Sequence, residues 1–389
     1  MLLRLSKRDP RLQRVDPRLP CLLLLTLFAA CGGTHFTASP VGSDAGSAGA
    51  SAGDSANPGG DSNGNAGDGG ADAMGASGGL PSAGGAGKGA DGCASCTTGE
   101  YCQDVVNKCR SCTDFSRLEF ATPQPLSTLS HTSTSSERFP RSANTGSALF
   151  YALAGPDSRE LWYTAAPTSG IGSAVSEAGN DSGPLLLAPA FEDKNFFFDR
   201  EKAVKGLRKV MMATWSAGAL SEVSDAPSPI NGDDASDYSF AAAPSTGHAY
   251  WMSTRSGAPQ LIWESINETP MADPSELPLK IRIGGNSKCD RLGDDATPWV
   301  NLNGSLLLFS AESMDDTCEP NDSNAHDLFA VPLAKDGVPA SAAIPLSALN
   351  STGDGSDETD PSLAPDSCSI YFASDKGSGN YDLYRAARN

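Results

Sequence analysis

The chain has 389 residues, with 28 Lys or Arg against 47 Asp or Glu and a formal net charge of −19. A surface that acidic repels nucleic acid, which excludes polyanion binding as a general function. About half of the 41 glycines fall before residue 100, so the apolar content needed for a core lies in the C-terminal two-thirds.

Residues 1–20 carry Arg4, Lys7, Arg8, Arg11, Arg14 and Arg18, and an apolar run follows from Cys21 to Ala30. The run is too short to cross about 30 Å of hydrocarbon as a helix, so residues 1–30 are expected to be a signal peptide. It ends Leu27-Phe28-Ala29-Ala30-Cys31-Gly32-Gly33, which resembles the lipobox of bacterial lipoproteins, with Phe28 where that family has an aliphatic residue. The resemblance implies that Cys31 becomes the acylated N-terminus. Gly32 and Gly33 after it, in place of Asp, imply the outer membrane. The protein is thus expected in the cell envelope, touching the membrane only through its N-terminal lipid. Loss of residues 1–30 removes six basic and two acidic groups and leaves a net charge of −23.

From Cys31 to Gly92 the chain is almost wholly Gly, Ala, Ser, Asp and Asn. Nothing there offsets the entropy of ordering, so residues 31–92 read as a disordered tether with a reach on the order of 40 Å. Matches to a serine-hydrolase elbow at Gly49–Gly53 and Gly75–Gly79, and to a dinucleotide loop at Gly87–Gly92, have no strand and helix around them and carry no chemistry.

Residues 93–114 form a cysteine-rich module containing Cys93, Cys96, Cys102, Cys109 and Cys112. Two Cys-x-x-Cys pairs could hold zinc, but in an oxidising compartment such spacing more often staples a domain too small to build a core. Cys289, Cys318 and Cys368 lie downstream. Both sets are odd in number, so full oxidation requires a bridge between module and downstream domain. Cys289 is assigned to Cys318, and Cys368 to a module cysteine.

Residues 115–389 repeat. Leu149-Phe150-Tyr151, Ala249-Tyr250-Trp251, Leu307-Leu308-Phe309 and Ile370-Tyr371-Phe372 match one another, with Phe196-Phe197-Phe198 as a looser copy. Consecutive apolar residues predict strands sandwiched between sheets. Each is followed by a third strand, at Leu161–Tyr163, Val210–Met212, Leu261–Trp263, Leu328–Ala330 and Leu383–Arg385. The anchor aromatics Tyr151, Phe198, Trp251, Phe309 and Phe372 lie about 55 residues apart on average, a propeller period with long loops. Pro125–Ser130 is similar to Pro345–Asn350, the outer strand after the fourth repeat, so an N-terminal strand is expected to complete the last blade.

Asp360-Pro-Ser-Leu-Ala-Pro-Asp366, Ile370-Tyr-Phe-Ala-Ser-Asp-Lys376 and Asp382-Leu-Tyr384 resemble the repeat of TolB-type (WD40-like) β-propellers. The resemblance implies an all-β propeller, here of five blades, with a sixth degenerate blade as the alternative count.

One acid recurs ahead of each first strand, three positions before its expected start: Glu137, Asp181, Asp237, Asp295 and Glu358. Such carboxylates either cap their own turns or form an acidic ring at one channel mouth, where they would hold Ca or Mg or a basic partner. No cofactor is otherwise expected. Only His131, His248 and His326 are available for nucleophilic catalysis, without a triad pattern. The sequence is therefore read as a monomeric, non-enzymatic binding propeller for an envelope or extracellular protein or glycan. A carbohydrate-active hydrolase using inner-strand carboxylates is the alternative.

Overall fold

The computed structural model describes residues 96–389 apart from positions 98, 104–107, 131–133, 144–147, 156–157, 169, 177–178, 192, 204–205, 267–270, 284–286, 290–295, 313–324, 352–354 and 377–378. The expected signal peptide, Cys31, the tether, Cys93, Asp295 and Cys318 lie outside the described residues.

Every regular element described is a β-strand. A collar hairpin, β1 (Glu100–Gln103) and β2 (Lys108–Ser111), precedes the short β3 (Gln124–Pro125). Blade one is β4 (Ser136–Ser142), β5 (Leu149–Ala154), β6 (Arg159–Thr164) and β7 (Ser173–Ala174). Blade two is β8 (Asp181–Phe191), β9 (Lys194–Glu201), β10 (Arg208–Ser216) and β11 (Ala219–Asp225). Blade three is β12 (Asp237–Ala243), β13 (His248–Ser253), β14 (Gln260–Ser265) and β15 (Ser275–Glu276). A hairpin of β16 (Ile281–Ile283) and β17 (Ser287–Cys289) leads to blade four, made of β18 (Trp299–Val300), β19 (Leu306–Glu312), β20 (His326–Pro332) and β21 (Ile344–Pro345). Blade five is β22 (Glu358–Leu363), β23 (Ser369–Ser374) and β24 (Asp382–Ala387), with β3 as its outer strand.

The innermost strands pack in cyclic order, β4 on β8, β8 on β12, β12 on β18, β18 on β22 and β22 back on β4. Five antiparallel four-stranded sheets thus close into a five-bladed propeller, and no sixth blade occurs among the described residues. Closure by the N-terminal strand follows the reading of Pro125–Ser130. Leu126 donates its N–H to Leu383 O at 2.8 Å, as Leu346 does to Leu328 O at 2.9 Å in blade four. Val175, Ala226 and Leu277 make the same bond to the third strands of the other three blades.

The core consists of five clusters, one between each pair of neighbouring blades. Alternate side chains of a second strand face opposite gaps, which is why its apolar residues run consecutively. Leu149 and Tyr151 pack toward blade five while Phe150 and Ala152 pack toward blade two. Tyr250 faces blade four and Trp251 faces blade two. All five anchor aromatics are fully buried.

In four blades the inner strand begins earlier than the sequence predicts. Asp181, Asp237 and Glu358 open their strands and Glu137 is the second residue of β4, rather than standing three positions ahead. A bulge separates these acids from the apolar stretch, with register shifts at Arg138/Arg141, Ser182/Leu185, Tyr238/Ala241 and Thr359/Ser362. The residue two positions after each acid has a left-handed backbone: Phe139, Gly183, Ser239 and Asp360, with φ of 54°, 58°, 56° and 58°. The apolar pattern starts only after the bulge, so it marks the second half of the strand.

The collar is fastened to blade five. Cys96 bonds Cys109 within it, and Cys112 bonds Cys368, whose module partner the odd cysteine count required. Arg388 donates to Cys112 O and Asp114 O, each at 2.9 Å, and also to Arg117 O.

Candidate functional site

The five inner strands surround a channel whose two ends differ. At the end where these strands finish, a cavity of about 150 Å³ is lined by Leu185, Ala242, Val300 and Leu363, with Arg141 beside them and Phe115 of the collar segment across it. The other mouth, where the inner strands begin, carries the charged groups.

That mouth is built on the bulges. A left-handed residue turns its N–H out of the ladder, and a buried donor must then find another acceptor. In three blades a neighbour supplies it. Phe139 N donates to Asp360 Oδ2 at 3.2 Å, Ser239 N to Asp199 Oδ2 at 2.8 Å, and Asp360 N to Thr297 Oγ1 at 3.0 Å. Each bond crosses from one blade to the next: five to one, two to three, four to five. Asp199 and Asp360 are completely buried.

Arginines surround these staples. Arg138 Nε meets Asp360 Oδ2 at 2.9 Å, and its guanidinium lies 4.6 Å from the centre of the Tyr381 ring. Arg208 donates to Ser182 Oγ at 2.6 Å and approaches Asp199 Oδ2 at 3.6 Å. Arg141 is buried beneath them and donates to four backbone carbonyls, those of Pro140, Asp360, Pro361 and Pro298, from three blades. Burial lowers the Arg141 guanidinium to about 10, with Asp360 and Asp199 opposing the shift. Burial also pushes the Asp199 carboxyl up to about 6, although Arg208 and the Ser239 N–H favour its charged form.

Next to Arg138, Asp357 accepts from His326 N at 2.6 Å, sits 2.9 Å from His326 Nδ1 and accepts from the Tyr381 hydroxyl. Burial opposes the Asp357 charge, but the hydrogen bonds from His326 and Tyr381 hold the carboxyl below its usual range. The pair ties blade four to the start of blade five. It belongs to no nucleophile relay among the described residues.

The described members of the expected acidic ring each engage groups close by. Asp181 holds Arg200 through two bonds of 2.7 Å. Asp237 accepts from Gly232 N at 2.7 Å and meets Arg255 at 3.1 Å. Glu358 accepts from Ser351 N, Ser351 Oγ and Ser374 Oγ, and burial raises its carboxyl. Glu137 accepts from Ser135 Oγ at 3.4 Å. The contacts of Asp237 and Glu358 include a backbone N–H, from Gly232 and Ser351, while those of Asp181 and Glu137 are to side chains. No group of three or more His, Cys, Asp or Glu suited to a metal ion occurs among the described residues.

The sequence reading did not single out Arg138, Arg141, Arg159, Asp199, Arg208 or Asp360 as a site. Their signal was a charged residue inside or at the edge of an apolar strand, as in Phe196-Phe197-Phe198-Asp199-Arg200. Which of these residues meet depends on the ring.

No family model and no curated protein sequence matches the chain. Among solved structures, the catalytic domain of a Coprinopsis cinerea GH62 α-L-arabinofuranosidase is similar at 10% identity, over 70% of this chain and 97% of that one, with a TM-score of 0.45. A thermostable family-43 glycoside hydrolase is similar at 11% identity, over 65% and 89%, with a TM-score of 0.42. TolB from Acinetobacter baumannii is similar at 13% identity, over 64% and 53%, with a TM-score of 0.34. At such values no residue role passes from these proteins to this chain.

Proposed function

We propose that the protein is a non-enzymatic binding propeller, displayed in the cell envelope on a lipidated N-terminal tether. The supporting observation is the use made of the mouth carboxylates. Asp360 and Asp199 are wholly buried and accept backbone N–H groups of the neighbouring blade, so they serve the ring's closure rather than face a substrate. Loops around such a rigid ring supply the variable surface for a protein or glycan partner. Anchoring at Cys31 and the tether reading rest on the sequence alone.

A glycoside hydrolase is the second reading, favoured by one feature. Asp199, pushed up to about 6 by burial, and the salt-bridged Asp360 are both carboxylates of this mouth, and glycoside hydrolysis uses a pair of carboxyl groups. The full-length chain applied to a glycan and peptide array, with reducing ends assayed in parallel, separates the two. Saturable binding without released sugar is expected. Release that disappears in both Asp199→Asn and Asp360→Asn overturns the binding reading.

A further inference from the structure

Among the described residues, Arg159 is a mouth arginine with neither an ion pair nor a hydrogen bond. Arg138, Arg200, Arg208 and Arg255 are paired with Asp360, Asp181, Asp199 and Asp237 respectively. Arg159, at the start of β6, is half-buried, its Nε is enclosed without a hydrogen-bond partner, and no ion pair to its guanidinium occurs among the described residues. It stands 6.0 Å from the Phe139 ring, on the bulge that joins blade one to blade five. Its charged neighbours are Arg208 and Arg138, which oppose its charge, and Asp360 and Asp199, which support it less. Both of those carboxylates already hold other donors.

A half-buried guanidinium with an enclosed, unpartnered Nε and two other arginines among its charged neighbours is favoured by an anion beside it. We propose that Arg159 anchors a binding site for a singly charged carboxylate, gripped by its planar fork with Arg138 and Arg208 alongside. A fork of N–H donors matches the two oxygens of a carboxylate. A phosphate dianion is disfavoured, because Asp199 and Asp360 are among the charged neighbours of Arg159 and the whole chain carries −19. The carboxylate could belong to an acidic sugar or to a peptide C-terminus, which share this chemistry. The inference rests on the mouth being a ligand-binding site, and deepens that reading by naming the ligand class.

The test uses the full-length chain with methyl β-D-glucuronide and N-acetylglycine as probes, and methyl β-D-glucoside and inorganic phosphate as controls. Calorimetric titration and melting curves are read together. At least one carboxylate probe is expected to bind saturably and raise the melting temperature, and which one does so distinguishes the two sources. Arg159→Met is expected to weaken that binding at least tenfold, and Arg159→Lys, which keeps the charge but not the fork, by a smaller factor. Should Arg159→Met not fold, Arg159→Lys carries the comparison. The inference is overturned if neither carboxylate binds, if phosphate or the glucoside binds as well as the carboxylates, or if the Arg159 variants bind like the parent. Cleavage of the glucuronide would instead overturn the non-enzymatic reading and leave the anchor in place. Array binding without any carboxylate affinity would do the reverse.

Discussion

Asp360, in the last blade, accepts the backbone N–H of Phe139 in the first, 3.2 Å away, and the Arg138 guanidinium at 2.9 Å through the same oxygen. The bond lies where the last blade meets the first, beside the closure made by β3 on β24. Main-chain pairing closes the rim of the ring there, and a buried carboxylate closes its axis.

Replacing Asp360 with Ala removes the acceptor and strands a guanidinium and an N–H, a loss expected to cost roughly 3–5 kcal/mol. Denaturant unfolding measures it. Asp360→Asn keeps one acceptor and should cost less; equal losses in the two variants would show that charge, rather than the bond to Phe139, carries the effect.

Asp199 makes stability depend on pH with an unusual sign. Its folded carboxyl titrates near 6, above the ordinary aspartate value of about 3.9. Between those values the native state holds the proton and the unfolded chain does not, so the contribution is full below about pH 4 and is lost as pH rises through 6. The loss amounts to roughly 3 kcal/mol for about two pH units. Asp199→Asn should therefore gain on the parent as pH rises from 4 to 7, read as the difference between their melting temperatures. A difference that stays constant over that range would mean Asp199 is not held protonated.

Gly183 takes φ +58°, and a Cβ there would lie 2.5 Å from Asp199 Oδ2. Gly183→Ala adds left-handed strain to a displaced staple, so a destabilisation of roughly 1–3 kcal/mol is expected. The loss should shrink in an Asp199→Ala background, which a double-mutant cycle measures.

The Cys112–Cys368 bridge joins positions 256 residues apart, and Arg388 grips the same segment. Losing a bridge of this kind typically costs about 2–5 kcal/mol. Cys112→Ser with Cys368→Ser should lower the melting temperature and unmask the collar to limited proteolysis, while the blades stay paired. A collar as protected as in the parent would assign its attachment to Arg388 instead.

Leu129 is fully buried in the cluster between blades five and one, although it follows a strand of only two residues. Leu129→Ala is expected to cost about 2–5 kcal/mol. Chemical denaturation reads it, and a change under 1 kcal/mol would deny the N-terminal segment its role in closure.

The amino-acid order alone determined the repeat. Consecutive apolar triplets, turn residues such as Asn303-Gly304 and a copied outer strand at Pro125–Ser130 are local patterns, and local patterns specify strands, their sandwiching and the blade count. The odd cysteine counts likewise required a bridge from the module to the downstream domain, though not its module partner. The bulges were not legible, because a residue such as Phe139 or Ser239 shows no preference for a left-handed backbone. The recurring acids marked where the inner strands begin, but the channel mouth itself is made by residues far apart in sequence. Asp360 meets Arg138 only once the ring has closed, and Asp199 meets Ser239 only once blades two and three have packed, since each pair spans a gap between blades. Arg159 was ordinary in the sequence and became distinctive only there, as an arginine with neither an ion pair nor a hydrogen bond among the described residues.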